Sequence, residues 1–182
     1  MKLRSLKTAL HRFARDDRGT MLVETVVALP FLIWAYIGMF VFWDAFQTAN
    51  AVQKASYMAA DFVTRGDSTT TVQLTGLRTT MDYMIAADNP PAIRVTSVVW
   101  VQARNRFEVE WSRSIGSART VHTTGSIATV ASRIPMMSDL DTVIVLETWL
   151  DYEPALNVGL ESQTYEQFIV TRPRFVPRIS IS

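Results

Sequence analysis

Eighteen consecutive residues, Val26 to Trp43, carry no charge. As a helix this run is about 27 Å long at about 1.5 Å per residue, close to the roughly 30 Å hydrocarbon core of a bilayer. Its Leu, Ile, Phe and Val residues each favour insertion by a few tenths of a kcal/mol, roughly enough in sum to offset one flanking carboxylate. A chain of 182 residues then has room for one membrane segment and one small domain.

The charges on either side of the run set its direction. Before Thr20 lie Lys2, Arg4, Lys7, Arg12, Arg15 and Arg18, against Asp16 and Asp17, whereas the first charge beyond the run is Asp44. Basic residues collect on the cytoplasmic side, so the N-terminus is expected in the cytoplasm and residues 44–182 across the membrane.

Residues 1–19 hold six of the eighteen basic residues and two of the seventeen acidic ones. Residues 20–182 therefore carry twelve basic and fifteen acidic residues, a net charge of about −3. A nucleic-acid partner would want a clustered basic face, and none is expected here. With no cysteine, an exported domain must rest on its own core rather than on disulfides.

A glutamate stands at the mouth of the apolar run. Gly19 to Glu24 read G-T-M-L-V-E, which places a carboxylate on the fifth residue after a glycine. A glutamate near hydrocarbon costs on the order of 2–3 kcal/mol, so its position asks for a reason. The junction resembles the processing site of type IV-type pilins. The stretch Val23-Glu24-Thr25-Val26-Val27-Ala28-Leu29-Pro30-Phe31, led in by Arg15-Asp16-Asp17-Arg18-Gly19, resembles the start of TadE-like proteins of tight-adherence (Flp) pilus systems. Thr25 stands where that family usually has an aromatic residue. Glu147 to Pro154 and Thr171 to Arg174 resemble two late patches of the same family.

This resemblance implies a pilin-like fold and a non-enzymatic minor pilin or pseudopilin. A prepilin peptidase would cut between Gly19 and Thr20, and Glu24 would become the fifth residue and an assembly contact. Its carboxylate would pair with the exposed Thr20 amine of a neighbouring subunit. Implied partners are that peptidase, other pilins or pseudopilins, an inner-membrane assembly platform and the membrane itself. The larger TadG-type relatives can carry an adhesion domain, but Ser138-Asp139-Leu140-Asp141-Thr142 does not satisfy its D-x-S-x-S motif.

Periodicity organises the rest. Ala49, Val52, Ala55, Ala59, Phe62 and Val63 recur at helical spacing, so one helix over 21–65 is expected, half greasy and half amphipathic, ending at Gly66. Pro30 removes a backbone bond inside the apolar half and is expected to kink it. A second helix is expected from Thr71 to Ala87, with Leu74, Leu77, Met81, Met84 and Ile85 on one stripe. Alternation over 93–102 and 106–111 reads as a β-hairpin in which Phe107, Val109 and Trp111 share a face. Ser126 to Met137 reads as a short helix, and Thr142–Tyr152 and Tyr165–Thr171 as two more strands. Pro173 and Pro177 argue against a regular central strand in the tail. The resulting expectation is α+β: an antiparallel sheet of about four strands on the exported half of a long helix. The chain divides into a leader 1–19, a membrane helix 20–46 and an exported domain 47–182.

Other chemistry is sparse. Glu147, Trp149, Asp151 and Glu153 would share one strand face, expected to be solvated, with a hard cation as the sharper alternative. His11 and His122 are the only histidines. No catalytic constellation, phosphate loop, metal cluster or cofactor is expected. Two alternatives remain at this point. One is a signal-anchored single-pass periplasmic binding or interaction protein. The other is cleavage by ordinary signal peptidase after Ala49-Asn50-Ala51. The mature N-terminus separates them.

Overall fold

A computed structural model describes residues 19–116 and 119–182. One helix, α1 (Thr20–Arg65), runs unbroken for 46 residues and passes through Pro30. After it come β1 (Ser68–Thr69), α2 (Thr71–Ile85), β2 (Ala92–Val101), β3 (Arg106–Ile115), β4 (Thr142–Tyr152), β5 (Gln163–Thr171) and β6 (Ser180–Ile181). A 3₁₀ turn at Gln102–Arg104 joins β2 to β3, and a 3₁₀ segment at Ser126–Arg133 precedes β4. The expected α+β fold is present: α1 packs on a four-stranded antiparallel sheet in the order β3-β2-β4-β5.

The C-terminal half of α1 forms a wall of the core. Val52, Ala55, Ser56, Ala59, Ala60 and Val63 are buried. Mostly small residues let the helix backbone approach the sheet, and Ser56 donates to Val52 O while its Oγ meets Thr148 Oγ1 at 3.0 Å. Phe62, expected on this face, is exposed instead. Gly66 ends α1 in an extended conformation (ψ 159°), not a left-handed one.

Helix α2 begins at a capping box. Thr70 Oγ1 accepts from Gln73 N at 3.0 Å, and Gln73 Oε1 accepts from Thr70 N at 2.9 Å, which satisfies two donors the helix start would leave open. It stops two residues earlier than Ala87, because Ala86 turns left-handed (φ 51°) ahead of Asp88-Asn89-Pro90-Pro91. Leu74, Leu77, Met81 and Ile85 fill the core, while Met84 lies off the buried stripe.

The sheet is covered on both faces. On the helix side Ile93, Val95, Trp111, Ile144, Leu146, Leu150 and Ile169 join the residues of α1 and α2. Opposite, Val98, Phe107, Val143 and Val145 pack under Ile127, Ile134 and Met137. A bulge makes this possible. Ser97 pairs with Trp111 but Val98 pairs with Val109, which leaves Glu110 as the extra residue. Trp111 therefore faces the helices, whereas Val109 and Phe107 face the other way. The expectation of a single shared face for these three is corrected.

The tail closes the far end of the domain. Short strands β1 and β6 pair in parallel. Trp111 Nε1 donates to Ile179 O at 2.7 Å, Arg174 N donates to Thr64 O at 3.0 Å, and Thr142 Oγ1 donates to Pro177 O. Arg174 also reaches Asp61 at 2.7 Å and Arg178 reaches Glu110 at 3.2 Å.

Candidate functional site

The N-terminal half of α1 is bare. Among the described residues it is long and apolar enough to cross a membrane, with only 6 % of its most apolar eighteen-residue window buried. That exposure separates it from the core helix of a soluble domain, whose apolar face would be covered. Phe31, Leu32, Trp34, Tyr36, Met39 and Phe40 all point outward.

Gly19 caps this helix without a side-chain bond and Thr20 is its first residue. Among the described residues nothing lies within 4 Å of the position a Cβ at Gly19 would take. Glu24 is exposed one turn further on, and Thr25 Oγ1 folds back onto Met21 O at 2.8 Å. Glu24 and Asp44 are twenty residues apart, about 30 Å along the helix, which matches the hydrocarbon thickness. Residues 1–18 of the expected leader 1–19, with His11 and the six basic side chains, lie outside the described residues.

At the other end of the apolar run the helix is pinned to the sheet. Tyr152, the last residue of β4, donates from its phenol to Asp44 Oδ2 at 2.8 Å. Tyr165 in β5 donates to Ala45 O at 3.0 Å. Burial, aided by the Asp44 carboxylate, pushes the Tyr152 phenol up to about 12, and burial raises Tyr165 in the same direction.

The face carrying Glu147 and Trp149 is neither solvated nor a cation site. Glu147 is 2 % exposed and takes Arg94 in a two-pronged pair, Nε to Oε2 at 2.6 Å and Nη2 to Oε1 at 2.8 Å. His122 Nε2 lies 3.1 Å from Glu147 Oε2, and His122 Nδ1 lies 3.2 Å from Ser126 Oγ. A neutral ring satisfies both contacts by donating from Nε2 and accepting at Nδ1. Burial holds the His122 pKa below its ordinary value; Glu147 pulls it up and Arg94 pushes it down. Arg94 and Arg119 lie over Trp149, at 5.0 and 4.9 Å from the ring centroid. Asp151 is exposed and accepts from its cross-strand partner Thr164 at 2.7 Å, and Glu153 lies beyond the strand. These carboxylates do not converge, and among the described residues no cluster of three or more His, Cys, Asp or Glu could hold a metal ion.

This polar cluster fastens the segment after β3 onto the sheet. Ser112 Oγ accepts from His122 N at 3.1 Å and bonds Thr96 Oγ1 at 2.8 Å, while Thr124 Oγ1 accepts from Val109 N at 3.2 Å. Ser126, His122 and Glu147 form a hydrogen-bonded chain, but Ser126 Oγ also accepts from Thr123 N at 2.9 Å and Glu147 is held by Arg94. The arrangement locks a loop in place and frees no nucleophile. No protein-family model, curated protein or solved structure matches the chain.

Proposed function

We propose that this protein is a TadE-like minor pilin or pseudopilin of a tight-adherence (Flp) pilus system, anchored in the inner membrane by α1 with its domain in the periplasm. The observation that carries it is the two-part helix. A single 46-residue helix begins beside Gly19, presents Glu24 in its first turns, runs bare through the apolar stretch and then becomes a wall of the domain core. That is the construction a subunit needs if it is to be pulled from a membrane and packed by its helix into a fibre while the domain stays folded.

In this account a prepilin peptidase cuts between Gly19 and Thr20. The new amine of Thr20 pairs with Glu24 of a neighbouring subunit. Each charge is costly alone in a low-dielectric setting and tolerable when paired, so pairing fixes the axial register between subunits. The role is non-enzymatic and involves no cofactor.

The deciding experiment is the mature N-terminus, read by intact mass of the membrane form. Loss of residues 1–19 supports the proposal, and replacing Gly19 with a bulky residue should then leave full-length protein. A full-length native chain would indicate a plain signal anchor, and a start at Val52 would indicate ordinary signal peptidase.

A further inference from the structure

We infer that the β4–β5 loop, residues 153–162, rests in the headgroup region of the bilayer and docks the domain on the lipid surface in one orientation. This builds on the proposal that α1 spans the membrane. The first observation is depth. Ala155 and Glu153 line one cleft, of about 210 Å³, together with Phe40 and Asp44. Phe40 lies inside the apolar run, four residues before Asp44, or about 6 Å further along the helix axis. The buried face of α1 continues to the same level: Val41 is 1 % exposed, although its neighbours Phe40 and Phe42 are open. Protein therefore covers one side of α1 within the apolar run, on the N-terminal side of Asp44.

The second observation is the chemistry of the loop. Between Glu153 and Glu161 lie Pro154, Ala155, Leu156, Asn157, Val158, Gly159 and Leu160, with no charge among them. Val158 N donates to Leu156 O at 3.1 Å, a tight turn about Asn157, and Gly159 follows with φ 100°. This turn presents Leu156 outward at 51 % exposure. The third observation is the setting. Trp43 and Phe46 flank Asp44 on the exposed helix surface, and the Tyr152 and Tyr165 phenols bond Asp44 and Ala45 beside the loop's two ends. Aromatic residues collect where hydrocarbon meets water. Two glutamates bracketing an uncharged turn keep the ends of the loop in water and limit insertion to its tip. With Asp44, Asp88 and Asp151 nearby on the cleft, the surface suits a zwitterionic membrane rather than an anionic one.

The chain has no cysteine, so single-cysteine variants of the full chain report without background. Leu156→Cys, Leu32→Cys and Leu140→Cys would each carry an environment-sensitive fluorophore in phosphatidylcholine vesicles containing nitroxide-labelled lipid. Leu140 is exposed and precedes the opposite end of β4. A shallow nitroxide should quench the label at 156 at least threefold more than the label at 140, and a deep nitroxide should quench the label at 32 most. If 156 behaves like 140 while 32 is quenched deeply, α1 spans the bilayer and the docking loop is overturned. If 32 is not quenched, α1 does not span and both ideas fall.

Discussion

The phenol of Tyr152 donates to the carboxylate of Asp44 at 2.8 Å, across 108 residues of sequence. It joins the end of a central strand to the first charge after the apolar run. Tyr165 lies beside it, with ring centroids 5.5 Å apart, and holds the next helical carbonyl. Two phenols thus fasten α1 to the sheet where its apolar run ends. With its pKa pushed up to about 12, the Tyr152 phenol stays protonated and remains a donor at any physiological pH.

Tyr152→Phe should therefore destabilise the domain by about 1 kcal/mol, the usual net worth of such a bond at a partly exposed carboxylate. Asp44→Asn keeps an acceptor and should cost less than Asp44→Ala. A double-mutant cycle on thermal unfolding in detergent checks this. Additive effects of Tyr152→Phe and Asp44→Ala would show that the bond contributes nothing.

Glu147 is a sharper test of the second sheet face. Glu147→Gln leaves the Arg94 guanidinium, with its side chain only 12 % exposed, without its countercharge. The expected loss is about 3 kcal/mol. Replacing both Arg94 and Glu147 with Met removes both charges and should recover most of that loss. Chemical denaturation of the three variants checks the order. A double variant worse than the single one would mean that the pair is net stabilising beyond its mutual compensation.

The elements of this fold were legible where the signal is local. The stripe of Leu74, Leu77, Met81 and Ile85 announces α2, and the apolar run with its helical continuation announces α1. Alternation over 93–102 and 106–111 marks β2 and β3. Strand facing was harder. Glu147 and Trp149 look like a wet strand face because the cover comes from His122 and Arg119, more than twenty residues away, and the countercharge from Arg94, 53 residues away. A signal did exist. Each central strand carries one long charged residue in an otherwise buried apolar stretch, and strands covered on both faces read that way. The bulge at Glu110 and the two-residue pairing of β1 with β6 leave no local pattern, because both depend on register between distant segments. Gly19, Thr20 and Glu24 stood out in the sequence by spacing and chemistry; the fold places them at the start of α1.

His122 should make stability depend on pH in a defined window. Its folded pKa is depressed, chiefly by burial, so between that value and the ordinary value of about 6.5 the unfolded chain binds more protons. Stability then rises with pH across the window. The contribution is fully present above about 6.5 and is lost as pH falls through the folded value. Thermal melts from pH 7.5 to 5.5 should show a fall that His122→Gln reduces. An identical pH dependence in the variant would mean that His122 titrates normally in the folded state.

The orientation proposed for the domain has its own check. A reporter active only in the periplasm, fused after Ser182, should work, and a cytoplasm-only reporter should not. The opposite pattern would overturn the topology drawn from the basic residues before Thr20 and the first charge at Asp44.

On the proposed function, Glu24→Ala should uncouple assembly from folding. Glu24 is exposed near the start of α1, whereas the core begins near Val41 and is built on the second half of the helix. The domain therefore has no use for that carboxylate. Removing it makes the anchor more apolar, so insertion should be kept or improved. What should be lost is the pairing with a neighbouring Thr20 amine, and with it the axial register of subunits. Protease protection of the folded domain, combined with a count of surface pili, measures the two separately. A protected domain with few pili is the expected result. Normal pili would reduce Glu24 to an interfacial residue of the anchor, and an unprotected domain would place its role in folding instead.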